Sequence, residues 1–215
     1  MSTLASNDSR APAPAPHPLL VIVSGPSGVG KDVTLRRMKE RGAPFHFLVT
    51  NTTRPKRPSE QEGVDYHFVT PEDFSVKLAN NEFLEHAVVY GYQYGNSRRE
   101  IESMLDQGYD VIMRIDVQGA ATIQRRVEGA VFVFMTASMA QLEQHLRARR
   151  TESEEGLQKR LRMAAVEMQE MSKFEYVVQN REGELDRTAS DIEAIIRAEK
   201  LRTYPRVVRF LGADK

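Results

Sequence analysis

The stretch LLVIVSGPSGVGKDVTL, Leu19 to Leu35, restricts the fold more than any other part of this 215-residue chain. A short unbroken apolar run ends in glycines and passes directly into a helical pattern. That pattern lasts from Lys31 to about Arg41, where Gly42 and Pro44 stop it. An apolar run without alternation is buried on both faces, as in a parallel strand covered by helices. Gly25, Pro26, Ser27, Gly28, Val29, Gly30 and Lys31 fit G-x-x-x-x-G-K. In such a loop the backbone N–H groups turn inward around phosphate oxygens, at the positive end of the next helix. Lys31 adds a point charge for the outer phosphates. The pattern then asks for a Ser or Thr hydroxyl to hold Mg²⁺, and this chain has Asp32. Thr34 is no substitute, because two residues turn about 200° around a helix.

The same alternation continues. FHFLVT (Phe45 to Thr50), DVIMRID (Asp110 to Asp116), AVFVFM (Ala130 to Met135) and EYVVQN (Glu175 to Asn180) read as strands. Helical patterns cover about Ser97–Gln107, Ala120–Arg126, Met139–Arg149, Glu154–Met171 and Glu184–Arg202. Strand–helix alternation of this kind implies an α/β fold of three layers around a central parallel sheet. From Asn51 to about Asn96 the pattern breaks into Arg-, Pro-, Glu-, Tyr- and Gly-rich sequence with short β-like runs and one short helix opening at Pro71. That is too long for a connection and reads as an inserted lobe of mixed sheet.

Composition narrows the partners. Lys plus Arg and Asp plus Glu number 30 each, which speaks against a general nucleic-acid binder. No apolar run approaches a membrane span. The absence of cysteine excludes disulfides and thiolate metal sites, and a reducing cytoplasm is the default expectation. Residues 1–18, with Ala-Pro alternation and no apolar h-region, read as a solvated arm rather than a secretory signal.

The inserted lobe carries a specific resemblance. TNTTRPKRPSEQEGVDYHFV (Thr50 to Val69), EFLEHAVVYGYQYGNS (Glu82 to Ser97), IDVQGA (Ile115 to Ala120), RRTESEEGLQKRL (Arg149 to Leu161) and FEYVVQN (Phe174 to Asn180) resemble guanylate kinases, in order and with compatible spacing. Asp32 after the loop lysine resembles the plastid-type members. The resemblance implies a P-loop NTPase fold over residues 19–207. Its core would comprise 19–50, 97–138 and 166–207, with a GMP-binding lobe at 51–96, a helical lid at 139–165 and a tail at 208–215. It implies transfer of the γ-phosphoryl group of MgATP to GMP or dGMP, with no assignment of oligomeric state.

The chemistry can be set beside that resemblance. The acceptor is an anionic phosphate oxygen, so alignment and charge neutralisation are needed more than a general base. Arg54 and Arg57 match family positions that grip the GMP phosphate, as guanidinium forks suit phosphate. Tyr66 and Tyr94 match phenols that bind it. Glu85 matches the carboxylate that accepts from guanine N1–H and the 2-amino group. Thr50 and Asn96 stand around the base, Asn96 where the family usually has a hydroxyl. Asp116 matches an acid near the base and the metal region, so Asp32 and Asp116 are the expected metal-facing acids. Where many relatives have another Asp, two residues earlier, this chain has Arg114. The gain of an acid at 32 and its loss at 114 suggest a charge exchange, with the two residues as an ion pair or sharing the metal region. Arg149 and Arg160 match lid arginines that close over ATP, and with Lys31 and Arg54 form the expected catalytic set. His145 stands where a third Arg is usual. Val33 belongs to the expected ATP-binding stretch and Asn180 matches an adenine contact. Two other readings share the scaffold: a ribose 1,5-bisphosphate kinase, whose substrate has no base, and a non-enzymatic interaction module.

Overall fold

The computed structural model describes residues 17–58, 60–148 and 154–212. In chain order the elements are β1 (Leu20–Ser24), α1 (Lys31–Glu40), β2 (His46–Phe47), β3 (Asn51–Thr52), β4 (His67–Phe68), α2 (Pro71–Ala79), β5 (Phe83–Val89) and β6 (Tyr92–Ser97). They continue with α3 (Arg98–Asp106), β7 (Val111–Arg114), α4 (Val117–Arg126), β8 (Val127–Glu128), β9 (Val131–Thr136), α5 (Met139–Ala148) and α6 (Glu154–Gln169). A 3₁₀ turn (Glu170–Lys173), β10 (Tyr176–Gln179), α7 (Leu185–Lys200) and β11 (Arg209–Phe210) complete the chain.

The apolar runs form one parallel sheet in the order β10-β9-β1-β7-β2. Because side chains alternate along a strand, β1 feeds two cores. Val21 and Val23 pack with Leu35 and Met38 of α1 and with Ala189, Ile192 and Ile196 of α7. Leu20 and Ile22 face the other way, onto Ile101 and Leu105 of α3 and Ala120 and Ile123 of α4. This double burial explains why β1 reads as an unbroken apolar run. No helix among the described residues is long and apolar enough to cross a membrane.

Two expected boundaries move. The strand read over Phe45 to Thr50 is cut short at Phe47. Leu48 N–H still donates to Ile112 of the parallel sheet, but Thr50 C=O accepts from His67 and Thr53 N–H donates to Gln93. The chain has therefore changed sheets, and Asn51 opens a second one of order β4-β3-β6-β5. Helix α4 starts at Val117, three residues before the pattern suggested. Gly119 argues against a helix, but Asp116 caps it, its Oδ1 accepting from Gly119 N–H at 2.7 Å.

Candidate active site

The loop after β1 is shaped by close approach. Gly25 has φ +136°, and a Cβ there would overlap the carbonyl oxygen of Met135. Gly30 has φ +98°, and its missing Cβ leaves room for the Asn180 amide. Lys31 Nζ donates to the carbonyls of Gly25 (2.5 Å) and Pro26 (3.2 Å), folded over the loop. Asn180 Nδ2 donates to Val29 C=O at 2.8 Å, while its Oδ1 accepts from Thr188 at 3.1 Å. Asn180 is thus buried behind the loop as a buttress. His145 braces the loop from α5: its Nδ1 lies 2.8 Å from Gly28 C=O, and since a carbonyl only accepts, that nitrogen carries the proton.

A single cleft runs from this loop to the small sheet. It is lined by Gly25 to Asp32 and by Thr50, Arg54, Arg57, Tyr66, Glu85, Tyr94, Asn96, Asp116 and Arg160. These are most of the residues singled out from the sequence. Val33 and Asn180 are not among its lining residues, and Arg149 lies outside the described residues. Arg147 faces away and bonds Glu143 and Glu154.

At the far end three buried side chains form a directed row. Thr50 Oγ1 donates to Asn96 Oδ1 at 2.9 Å, and Asn96 Nδ2 donates to Glu85 Oε2 at 2.9 Å. Thr50 and Glu85 therefore fix which way the Asn96 amide points, and its second N–H is left for a ligand acceptor. Burial pushes the Glu85 carboxyl up to about 7; the Asn96 bond opposes this and the Asp116 charge adds to it. Helix α4 comes so close that a Cβ on Gly119 would sit 2.6 Å from Glu85 Oε1. Gly119→Ala therefore displaces the carboxylate although alanine suits a helix better than glycine. We expect KM for the acceptor nucleotide to rise about tenfold, the cost of roughly one weakened hydrogen bond, with KM for the donor unchanged. Steady-state kinetics varying each nucleotide in turn checks this.

Arg54 and Arg57 line the cleft, and Glu60, not itself in the lining, organises them. It accepts from Arg54 Nη2 through both oxygens (2.7 and 2.9 Å) and from Arg57 N–H at 2.9 Å. The Arg54 guanidinium also lies 5.3 Å from the Tyr66 ring centre, and Tyr66 meets Tyr94 edge-on. Burial, then the charge of Asp32, pushes the Tyr66 phenol up to about 12, so it is a hydrogen-bond donor at neutral pH.

Asp32 and Arg114 are paired, with Nη1 to Oδ1 at 2.7 Å. The other terminal nitrogen of Arg114 donates to Asp65 C=O at 2.7 Å, and the guanidinium stacks 4.5 Å from the centre of the Tyr66 ring. Burial works against the Arg114 charge, but Asp32, Tyr66 and Asp65 outweigh it and the net shift is upward. This is the ion-pair form of the charge exchange anticipated from the sequence.

Several lining residues were not singled out as site residues. Arg114 is marked in the sequence by its departure from the family pattern and its charge exchange with Asp32, not by a family role. Glu60, which is not itself in the lining, carries no distinct signal, since Glu62 and Asp65 follow it in the same loop. Glu167 on α6 is buried and accepts from Ser27 N–H at 3.0 Å, but lies in a helix whose other acids look solvated. Tyr90 comes from the β5–β6 turn and Tyr92 from the start of β6.

Comparison with known proteins agrees with this architecture. The guanylate kinase family model matches residues 17–199. The chain is 42% identical over 198 residues to guanylate kinase 2, chloroplastic/mitochondrial, of Oryza sativa subsp. japonica, covering 91% of this chain and 70% of that one. It is 42% identical over 189 residues to the guanylate kinase of Symbiobacterium thermophilum, covering 87% and 89%. A crystal structure of guanylate kinase from Anaplasma phagocytophilum superposes with a TM-score of 0.73 at 31% identity, covering 86% of this chain and 88% of that one. The phosphate loop, the small sheet facing it with Arg54 and Arg57 in the shared cleft, and these similarities lead to one conclusion: the chain belongs to the guanylate kinase family.

Proposed function

We propose that the chain transfers the γ-phosphoryl group of ATP to GMP or dGMP, giving ADP and the guanosine diphosphate. The observation that carries this is the buried Thr50–Asn96–Glu85 row, which shares one cleft with the phosphate loop. Its acceptor and donor groups complement guanine: Glu85 for N1–H and the 2-amino group, the Asn96 N–H for O6. Adenine offers an amino group where guanine has O6, which leaves buried groups unpaired. Segments 51–96 and 139–165 act in this reading as acceptor lobe and lid.

An oxygen of the GMP phosphate attacks the γ-phosphorus; that P–O bond forms while the bond to the β,γ-bridging oxygen breaks. The acceptor oxygen is already anionic, so no base has to remove a proton. Lys31 and the loop amides hold the donor, and Arg54 and Arg57 hold the acceptor phosphate. Arg160 adds positive charge at the junction; Arg149, which belongs to the same expected set by resemblance, lies outside the described residues. Lodging the reactants in one cleft supplies the proximity the reaction needs.

Mg²⁺ fits the donor set. Asp32 and Asp116 present hard carboxylate oxygens beside the loop, and among the described residues no cluster of three or more acids or histidines could hold a metal alone. That suits an ion bound largely by nucleotide phosphates and water with one or two carboxylates, and it would offset charge on the transferring phosphates. A cytoplasmic setting belongs to the same reading as its default; the lack of cysteine is compatible with any compartment, and the similarity to a chloroplastic/mitochondrial protein makes an organelle the competing one.

Phosphorus NMR of MgATP mixed with GMP tests the transfer. The reading predicts ADP and GDP in equal amounts; ADP with inorganic phosphate and no GDP would contradict it.

A further inference from the structure

The turn between β5 and β6 is unusual. Val89 pairs with Tyr92, leaving a two-residue loop of Tyr90 and Gly91 with φ +52° and +82°. Two positive φ values in a two-residue hairpin match a type I′ turn, which favours Asn, Asp or Gly. A bulky aromatic residue at positive φ is a backbone outlier, and such positions concentrate where a side chain has a task. The Tyr90 ring faces the Arg160 guanidinium of α6, 4.1 Å from ring centre to the guanidinium carbon. A cation over an aromatic face is attracted by the ring's negative face.

Helix α6 is held a second time. Glu167 follows Arg160 by seven residues, two turns on and about 20° off the same face. Both side chains line the cleft, and Glu167 accepts from the Ser27 amide in the phosphate loop. One helix thus touches the acceptor-side hairpin at Arg160 and the donor loop at Glu167.

We propose that Tyr90 is a positioning residue for Arg160, and that α6 is a strut through which occupation of the acceptor pocket strengthens binding in the donor pocket. When the acceptor nucleotide settles against the small sheet, the hairpin tip is fixed, and Tyr90 holds Arg160 where donor phosphates can use its charge. Glu167 keeps the loop amide in register with the same helix. The inference rests on the assignment of the cleft to ATP and GMP.

MgADP with GMP forms an unreactive pair, since ADP has no γ-phosphoryl group to give, and calorimetry then reads coupling without turnover. In the wild-type protein GMP should tighten MgADP binding at least about fivefold. Tyr90→Phe keeps that ratio, because the ring face remains. Tyr90→Asn brings it to about one while the melting temperature holds or rises, since Asn suits the turn. Glu167→Ala lowers the ratio from the other end of the strut. An unaltered ratio in Tyr90→Asn or in Glu167→Ala overturns the strut, as does loss of coupling in Tyr90→Phe. If wild-type protein binds MgADP but no GMP at all, the assignment of the acceptor pocket fails instead.

Discussion

Glu85→Gln should reduce kcat/KM for GMP by on the order of 10³-fold while leaving KM for ATP within about twofold, because only the acceptor pocket changes. Gln keeps the size of the side chain, so its effect is chemical. In place of two acceptor oxygens it has one, and its amide donors would face guanine N–H groups or the Asn96 amide in a buried site. Asn96 would also lose the carboxylate that orients it, and Thr50 holds only its other end. A site built around hydrogen bonds discriminates strongly when one is inverted.

The same carboxylate gives a pH signature. Its pKa in the fold is about 7, above the ordinary 4.5, with burial as the first cause. Guanine N1–H needs the ionised form, so binding strengthens as pH rises towards about 8 and is roughly tenfold weaker at pH 6 than there, the ratio for one group with that pKa. GMP has a phosphate that titrates near pH 6 itself, so guanosine is the proper probe. For stability the sign is opposite. A carboxyl with raised pKa holds its proton in the fold where the unfolded chain has released it. Glu85 therefore makes the ligand-free protein less stable as pH rises from 4.5 to about 7, with no further change above that. Thermal melts of wild type and Glu85→Gln across that window separate this contribution from those of other groups.

The second large effect concerns Asp32 and Arg114. Asp32→Ser restores the hydroxyl that the loop pattern asks for, yet it strands a buried guanidinium. We expect kcat/KM for MgATP to fall about 10²-fold, in the range for losing one partner of a desolvated charge pair. Asp32 is 37% exposed, so the loss of stability is moderated to about 1–2 kcal/mol. Arg114→Asp should be worse, since it places a carboxylate against Asp32 and close to Asp116, and removes the cation stacked on Tyr66. The double variant Asp32→Ser with Arg114→Asp moves the acid from 32 to 114 and leaves no unpaired guanidinium, and should recover at least about tenfold over the poorer single variant. The Mg²⁺ concentration for half-maximal nucleotide binding should move in the singles and partly return in the double. Strictly additive losses would mean that the pair is not a functional unit.

Much of the fold was legible because its signals are local. The central strands are apolar on both faces, and Leu20 to Val23 divide evenly between the two cores, so a continuous run is the only pattern they can show. What failed to show depends on distant partners. Nothing in FHFLVT marks the point at which the chain leaves one sheet for another; His67 and Gln93 decide it. The start of α4 was masked by Gly119, whose presence follows from the close approach of Glu85, 34 positions earlier in the chain.

The site divides in the same way. Residues carried by contiguous motifs line one cleft: the loop is legible from its own glycine pattern, and Arg54, Tyr66 and Glu85 from the family resemblance. Asn180 matches an adenine contact by resemblance and also ends a strand; its bond to Val29 holds it behind the loop, and it is not among the lining residues. Glu167 and Glu60 act by reaching other functional groups, Ser27 in one case and two arginines in the other. Such supporting partners have no sequence pattern of their own. The Asp32–Arg114 pair is intermediate: two departures from the expected pattern, opposite in charge, whose contact was suggested by their being complementary.

The central claim is that the far end of the cleft selects guanine. It is tested most directly by ADP release from MgATP with GMP, dGMP, AMP, CMP, UMP and ribose 1,5-bisphosphate as separate acceptors. The account predicts turnover with GMP and dGMP, and kcat/KM for AMP lower by at least about 10³-fold. Turnover confined to ribose 1,5-bisphosphate, or none with any acceptor from a folded protein that binds MgATP, would contradict it.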